Sequence, residues 1–306
     1  MDSAGVSGPL GRAVWSRADS AVVGSVSAHP ARAVNYLLGG GYHVQADRDL
    51  ARWWSLDNPG VRRTALEDRY FLGRAVEYAR RAGLRVFVDV GTGVPALGAP
   101  HEVLDRGSRP AVVVYVQSDP MLLELSRLLL SQACRTGTWD GRAGEGRGRR
   151  EVVGADALVP WAAWTAVLAG RLLVPAEPVC LLTVGLLDHV DEDTEMVTLL
   201  RDWRAVTPRG SLLVLSAPLR AATTASPDAE RGLAGMVRAA GWDLDGPVVR
   251  ASHWRAADAV DTRPDGTGLG DGGGADDAST PVALAVNRDP AHPLLAVPFR
   301  TGRQAA

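Results

Sequence analysis

The chain has 306 residues, enough to bury a full hydrophobic core in one or two domains without disulfide staples. Its formal net charge is −2 and every basic side chain apart from histidine is an arginine, so no positive excess marks it for nucleic acid or an anionic membrane surface. Two cysteines, Cys134 and Cys180, stand among apolar residues and read as buried thiols of a reducing cytosol, with no metal-ligand spacing. No apolar run reaches the ~20 residues of a membrane span and the first residues lack a signal-peptide apolar segment, so a cytoplasmic protein is expected.

Residues 1–28 alternate small and polar types without a period and read as a flexible arm. Short helices are expected over 32–38 and 47–56, separated by the turn Gly39-Gly40-Gly41. A longer helix follows Pro59, with Leu66, Tyr70, Ala75, Val76 and Ala79 at helical spacing before Gly83. Residues 29–83 are thus a helical cap.

From residue 84 the signal changes to apolar runs of strand length, at 86–90, 112–116, 152–155, 179–184, 212–215 and 248–251. Helical segments are expected between them, near 101–106, 120–133, 161–173, 192–206 and 228–240. Strands that read as continuous apolar runs are buried on both faces. The expected fold is therefore α/β, a doubly wound, mostly parallel, seven-stranded Rossmann-like sheet over 84–288, closed by a last strand from Pro281. Two Gly- and charge-rich inserts, 137–150 and 256–279, read as exposed loops, and 289–306 as a tail.

Gly91 and Gly93 follow the first strand, where open α/β sheets bind ligands. Lacking Cβ, they let the main chain touch a ligand, which is a reason for paired glycines directly after a strand. The spacing Gly91-x-Gly93-x-x-Ala96 also fits a dinucleotide fingerprint, but Pro95 removes an N–H where a pyrophosphate needs donors. An uncharged part of a ligand suits this loop better.

The motif order "FVDVGTG", "VVVYVQSDP", "VVGADA", "VCLLTVGLLDHV", "GSLLVLS" resembles that of class I S-adenosylmethionine-dependent methyltransferases. More narrowly, "YLLGGGYHVQADRDLA", "DRYFLGRAVEYARRAGLRVFVDVGTGVPALGAPHEV" and "VVYVQSDPMLL" resemble an actinobacterial S-adenosyl methyltransferase family long catalogued as a domain of unknown function. The resemblance implies S-adenosyl-L-methionine as cofactor. It implies that Asp89, Gly91 and Gly93 hold the methionine end, that Asp156, with Ala157 beside it, takes the adenine amino group, and that Tyr36 and Arg69 close over the cofactor.

The chain departs from the family at three places. Gln117 stands where an aspartate takes both ribose hydroxyls, so it reads either as a weaker, uncharged acceptor or as a solvated turn residue. Gly41, Tyr42 and His43 replace a lysine, an aspartate and an asparagine, and the segment after Ser216 is shortened. Asp188 and His189 follow the fourth strand, where class I enzymes present acceptor-side groups. Either suits a general base, whereas the aspartates that start the acidic run "DHVDEDTE" also suit capping of the next helix. His101 and Glu102 match the family's "HEV", as ligand contacts or as a helix start. The nine tryptophans, Trp53, Trp54, Trp161, Trp164 and Trp203 among them, read as core or acceptor-pocket walls. The expected function is methyl transfer to a small-molecule acceptor, with no metal, nucleic acid or membrane partner. The alternative is a catalytically weakened S-adenosylmethionine-binding or regulatory protein.

Overall fold

The computed structural model of the chain describes residues 27–91, 93–107, 109–135, 148–171, 173–174, 176–218, 227–255 and 280–288. The expected tail, the insert 256–279, and all but the last residues of the arm and of the insert 137–150 lie outside these.

Three helices come first: α1 (Pro30–Leu37), α2 (Gln45–Asp57) and α3 (Val61–Arg81). Pro30 starts α1 without wasting an N–H, and the His29 Nδ1 accepts the Ala31 N–H at 3.2 Å. Asp47, in the first turn of α2, is fully buried. Its carboxylate accepts the Val44 N–H at 2.7 Å, the His29 N–H at 2.8 Å and the Arg32 Nε–H at 2.8 Å. One carboxylate therefore caps its own helix and ties it to α1. The helix α3 packs Phe71, Leu72, Ala75, Val76 and Ala79 on the sheet. Its Arg74 donates to the carbonyl oxygens of Trp254 and Ala251 at 2.8 and 2.5 Å.

The sheet has the order β3 (Arg149–Gly154), β2 (Val112–Gln117), β1 (Val86–Asp89), β4 (Cys180–Thr183), β5 (Leu212–Ser216), β8 (Pro281–Val286), β6 (Asp243–Leu244), with β7 (Val249–Arg250) also on β8. The pairs from β3 to β5 are parallel and those to β8 antiparallel. Alternate residues face opposite cores: Val86 and Val88 meet α6 (Pro160–Ala169), α7 (Asp193–Val206) and α8 (Pro227–Ala239), while Phe87 meets α3, α4 (Pro100–Leu104) and α5 (Pro120–Arg135). Helices on both faces explain the unbroken apolar runs.

Some expectations are corrected. Arg149 and Arg150 belong to β3, not to a solvated loop: the edge of β2 pairs them with Val112 and Val113, and Arg150 forms an ion pair with Asp105. The strand expected at 248–251 is the two-residue β7, and the neighbouring β6 takes the last place on the main path. Trp54, Trp164 and Trp203 are buried, but Trp161 is 74% exposed and Trp53 46% exposed, so these two are not core. Cys180 is buried, and burial pushes its thiol up.

Removing one partner of a buried pair strands the other charge, which costs about 3–5 kcal/mol. Asp47→Ala is expected to destabilise the fold by about that amount, read as a lower urea midpoint. A loss under about 1 kcal/mol would refute the role given to this carboxylate.

Candidate active site

The carboxyl ends of β3, β2, β1 and β4 lie side by side, so Asp156, Gln117, the Asp89–Gly93 segment and Asp188–His189 follow one another along a single edge. At ~4.8 Å between strands, the four ends span about 15 Å. Sequence reasoning had each of these residues, and the sheet order brings them together.

The glycines make their closest approaches to the protein itself. A Cβ on Gly91 would lie 2.6 Å from the Val184 carbonyl oxygen and 3.0 Å from the Leu186 nitrogen, so the loop after β1 meets the backbone after β4 without a side chain between them. Gly93 is left-handed, at φ +72°, and its Cβ would lie 2.8 Å from the Ala31 Cβ. Helix α1 therefore rests on the glycine loop. Gln117 is 7% exposed, not a solvated turn residue, and its Nε2 donates to the Gly93 carbonyl at 2.7 Å.

Behind the loop lies a buried polar cluster. Asp89 and Tyr115 are register partners on β1 and β2, so their side chains share the α3 face. Asp89 accepts the Gly91 N–H at 3.2 Å. Arg69 comes from α3, its stem against Gly98. Burial lowers its guanidinium pKa, and the charge of Asp89 leads the effects that oppose this. The Tyr115 hydroxyl lies 2.6 Å from the His101 Nδ1. Burial, with Arg150 adding, pushes His101 down to about 3, so its ring is neutral, and burial with Asp89 holds the Tyr115 phenol up. Glu102 accepts the Gly98 N–H at 2.8 Å. His101 and Glu102 thus hold the loop and its supports.

Asp156 is partly exposed and accepts the Leu158 N–H at 3.0 Å, which starts the turn into α6; the Ala157 carbonyl accepts the Trp203 Nε1–H at 3.0 Å. Tyr36 packs edge-on against His43, with ring centroids 5.0 Å apart, within the cap. Asp188 and His189 form the end of a 3-10 helix, Leu186–His189, launched by the left-handed Gly185. Asp188 is buried and His189 exposed.

Sequence reasoning missed three neighbours. His29, at the start of α1, lies where the charges of Asp119, Arg32, His189 and Asp47 bear on it; burial dominates and lowers its pKa. Asp119 caps α5 by accepting the Leu122 N–H at 2.8 Å. Asp68, on α3, is buried beside Asp188 and accepts the Thr280 hydroxyl. The capping spacing of Asp119 was readable in the sequence. The placement of His29 and Asp68 was not, because each depends on a partner far along the chain. Among the described residues no group of three or more His, Cys, Asp or Glu side chains could hold a metal ion.

The model of a family described as S-adenosyl methyltransferase matches residues 16–265. A DUF574 family protein from Streptomyces avermitilis, of solved structure, is 27% identical; the match covers 85% of this chain and 97% of that one, at a TM-score of 0.65. A putative methyltransferase from Thermobifida fusca shares the fold at 23% identity, over 85% and 94% of the two chains, at a TM-score of 0.63. None of the curated proteins compared matches the chain.

Two outcomes are expected from this geometry. Gly91→Ala forces a methyl group against the Val184 carbonyl and should lower stability by about 1–3 kcal/mol, read as a drop in Tm; an unchanged Tm would show that the loop gives way freely. Burial, with Asp188 and Glu67 adding, pushes Asp68 up from 3.8 to about 8. The folded state keeps a proton that the unfolded chain sheds above about pH 4, so the stability contributed by Asp68 falls as pH rises from about 4 to about 8. Asp68→Asn keeps a neutral acceptor for Thr280, and its urea midpoint should change less than the wild type's between pH 5 and pH 8; an equal or steeper dependence would contradict this.

Proposed function

Because the chain belongs to the S-adenosyl methyltransferase family, and is thereby an S-adenosylmethionine-dependent methyltransferase, we propose that its acceptor is a small molecule carrying an ionisable O–H or N–H, held beside His189. The observation that carries this reading is the seat of α1 on the glycine loop, Ala31 against Gly93, with Arg32 reaching Met121 on α5 at 3.4 Å. An edge covered by a helix suits a compact acceptor better than a polymer lying across it. The overall charge of −2 supports the same choice.

The residues along the edge fit the cofactor in kind and order. The partly exposed carboxylate of Asp156 is an acceptor for the adenine amino group, with Ala157 alongside, and the Gln117 Oε1 is an acceptor for a ribose hydroxyl. The main chain at Gly91 and Gly93 borders the methionine end, where Asp89 takes the ammonium group and Arg69 the carboxylate. Tyr36 serves in the cap that closes this end. The bound cofactor supplies a methyl group already activated on a sulfonium, so the protein's share is to hold the donor and the acceptor in line.

Of the two acceptor-side residues, His189 is exposed and takes the acceptor's proton, with its imidazole as the base. Asp188 is buried and acts from behind, holding the 3-10 helix. The test uses S-adenosylmethionine labelled in its methyl group, incubated with a metabolite extract. Label is expected in a small molecule, and label only in protein or RNA would overturn the reading. His189→Gln should lower kcat by about a hundredfold or more and leave the Kd of S-adenosylhomocysteine unchanged. An unchanged kcat would remove His189 from the chemistry.

A further inference from the structure

The departure of Gln117 from the family's aspartate has a specific counterpart in the structure. The Gln117 Nε2 donates to the Gly93 carbonyl at 2.7 Å, and the Gln117 main-chain carbonyl accepts the Ala155 N–H at 3.0 Å, which ties β2 to the turn after β3. Gly93 is thus held from two sides, by the Ala31 methyl and by this amide. A carboxylate at the same place has no N–H to offer and would set a negative charge against a carbonyl oxygen.

We propose that Gln117 is a positioning residue: its amide N–H latches the glycine loop in the shape that receives the cofactor, while its Oε1 faces the ribose as an acceptor. The proposal rests on the reading of this edge as the S-adenosylmethionine site. It reverses what the family pattern alone suggests, that an aspartate here would strengthen the site. One amide serves where a carboxylate could act only as acceptor, because the second role needs a donor.

Gln117→Glu is the informative variant. It keeps the side-chain length and an acceptor oxygen, removes the donor and adds a negative charge, whereas Gln117→Leu removes the donor without adding one. Gln117→Asp and Gln117→Leu complete the set. Amide hydrogen exchange at Gly93 and Val94, in the protein without ligand, reads the latch directly. Calorimetry with S-adenosylhomocysteine reads its consequence, and thermal melts check that each variant folds. All three variants are expected to exchange about tenfold faster in the loop, and both acidic variants to bind S-adenosylhomocysteine about tenfold more weakly. Unchanged exchange in Gln117→Glu would overturn the latch, as would tighter S-adenosylhomocysteine binding by Gln117→Asp. If the loop is freed as expected but the wild type does not bind S-adenosylhomocysteine at all, the latch stands and the assignment of this edge to the cofactor falls.

Discussion

The carboxylate of Asp47 decides where α1 can lie. A charge with no solvent exposure must find hydrogen-bond partners inside the protein, and this one finds the Val44 N–H of its own helix, the His29 N–H at the start of α1 and the Arg32 guanidinium. An eight-residue helix is too short to persist alone. Held by Asp47 at its first turn, it gains a fixed seat, and Ala31 meets Gly93 while Arg32 meets Met121. The shape of the glycine loop therefore depends on an interaction between two cap helices, remote from the sheet.

A second set of buried polar groups supports the loop from below. Strand alternation sends Asp89 and Tyr115 to the same face, where α3 brings Arg69 and α4 brings His101 and Glu102. In a low-dielectric interior such a cluster is rigid when its members satisfy one another. The neutral His101 and the protonated Tyr115 complement each other as hydrogen-bonding groups without adding charge beside Asp89. For a transfer whose reagent is already activated, this rigidity is what a protein most usefully adds. On the other side of the loop, Gly91 permits direct contact with the backbone after β4, so the segments after β1 and β4 are coupled through main chain.

Much of this was legible in the sequence, because much of it is local. Apolar runs of strand length separated by helical periods determined the doubly wound class, and the paired glycines after the first run marked the carboxyl edge of the sheet. The carboxylates and amide at the ends of β1, β2 and β3 were readable from their motifs. The short β6 and β7 were less so, because two residues carry no period of their own and pair only where β8 offers an edge. Arg149 and Arg150 were missed as strand for a related reason: their polarity signals a loop, and only the exposed edge of β2 recruits them.

What the tertiary structure alone decided is which neighbour each of these groups has. The sequence marked Gly91 and Gly93 as places where the main chain can touch a ligand, since no other residue leaves that space. It could not say that the approaching groups are the Val184 carbonyl and the Ala31 methyl, the latter some sixty positions earlier in the chain. It determined that position 117 is an amide and not a carboxylate, but not that the amide's donor is bound to the Gly93 carbonyl. It showed Asp68 as one acid among many on a helix, and only burial in the folded protein, with Asp188 adding, raised its pKa. The physical reason is the same in each case. Periodicity and residue type act over a few residues along the chain, whereas hydrogen-bond partners, burial and the pKa shifts that follow depend on elements that meet only when the sheet and its cap have formed.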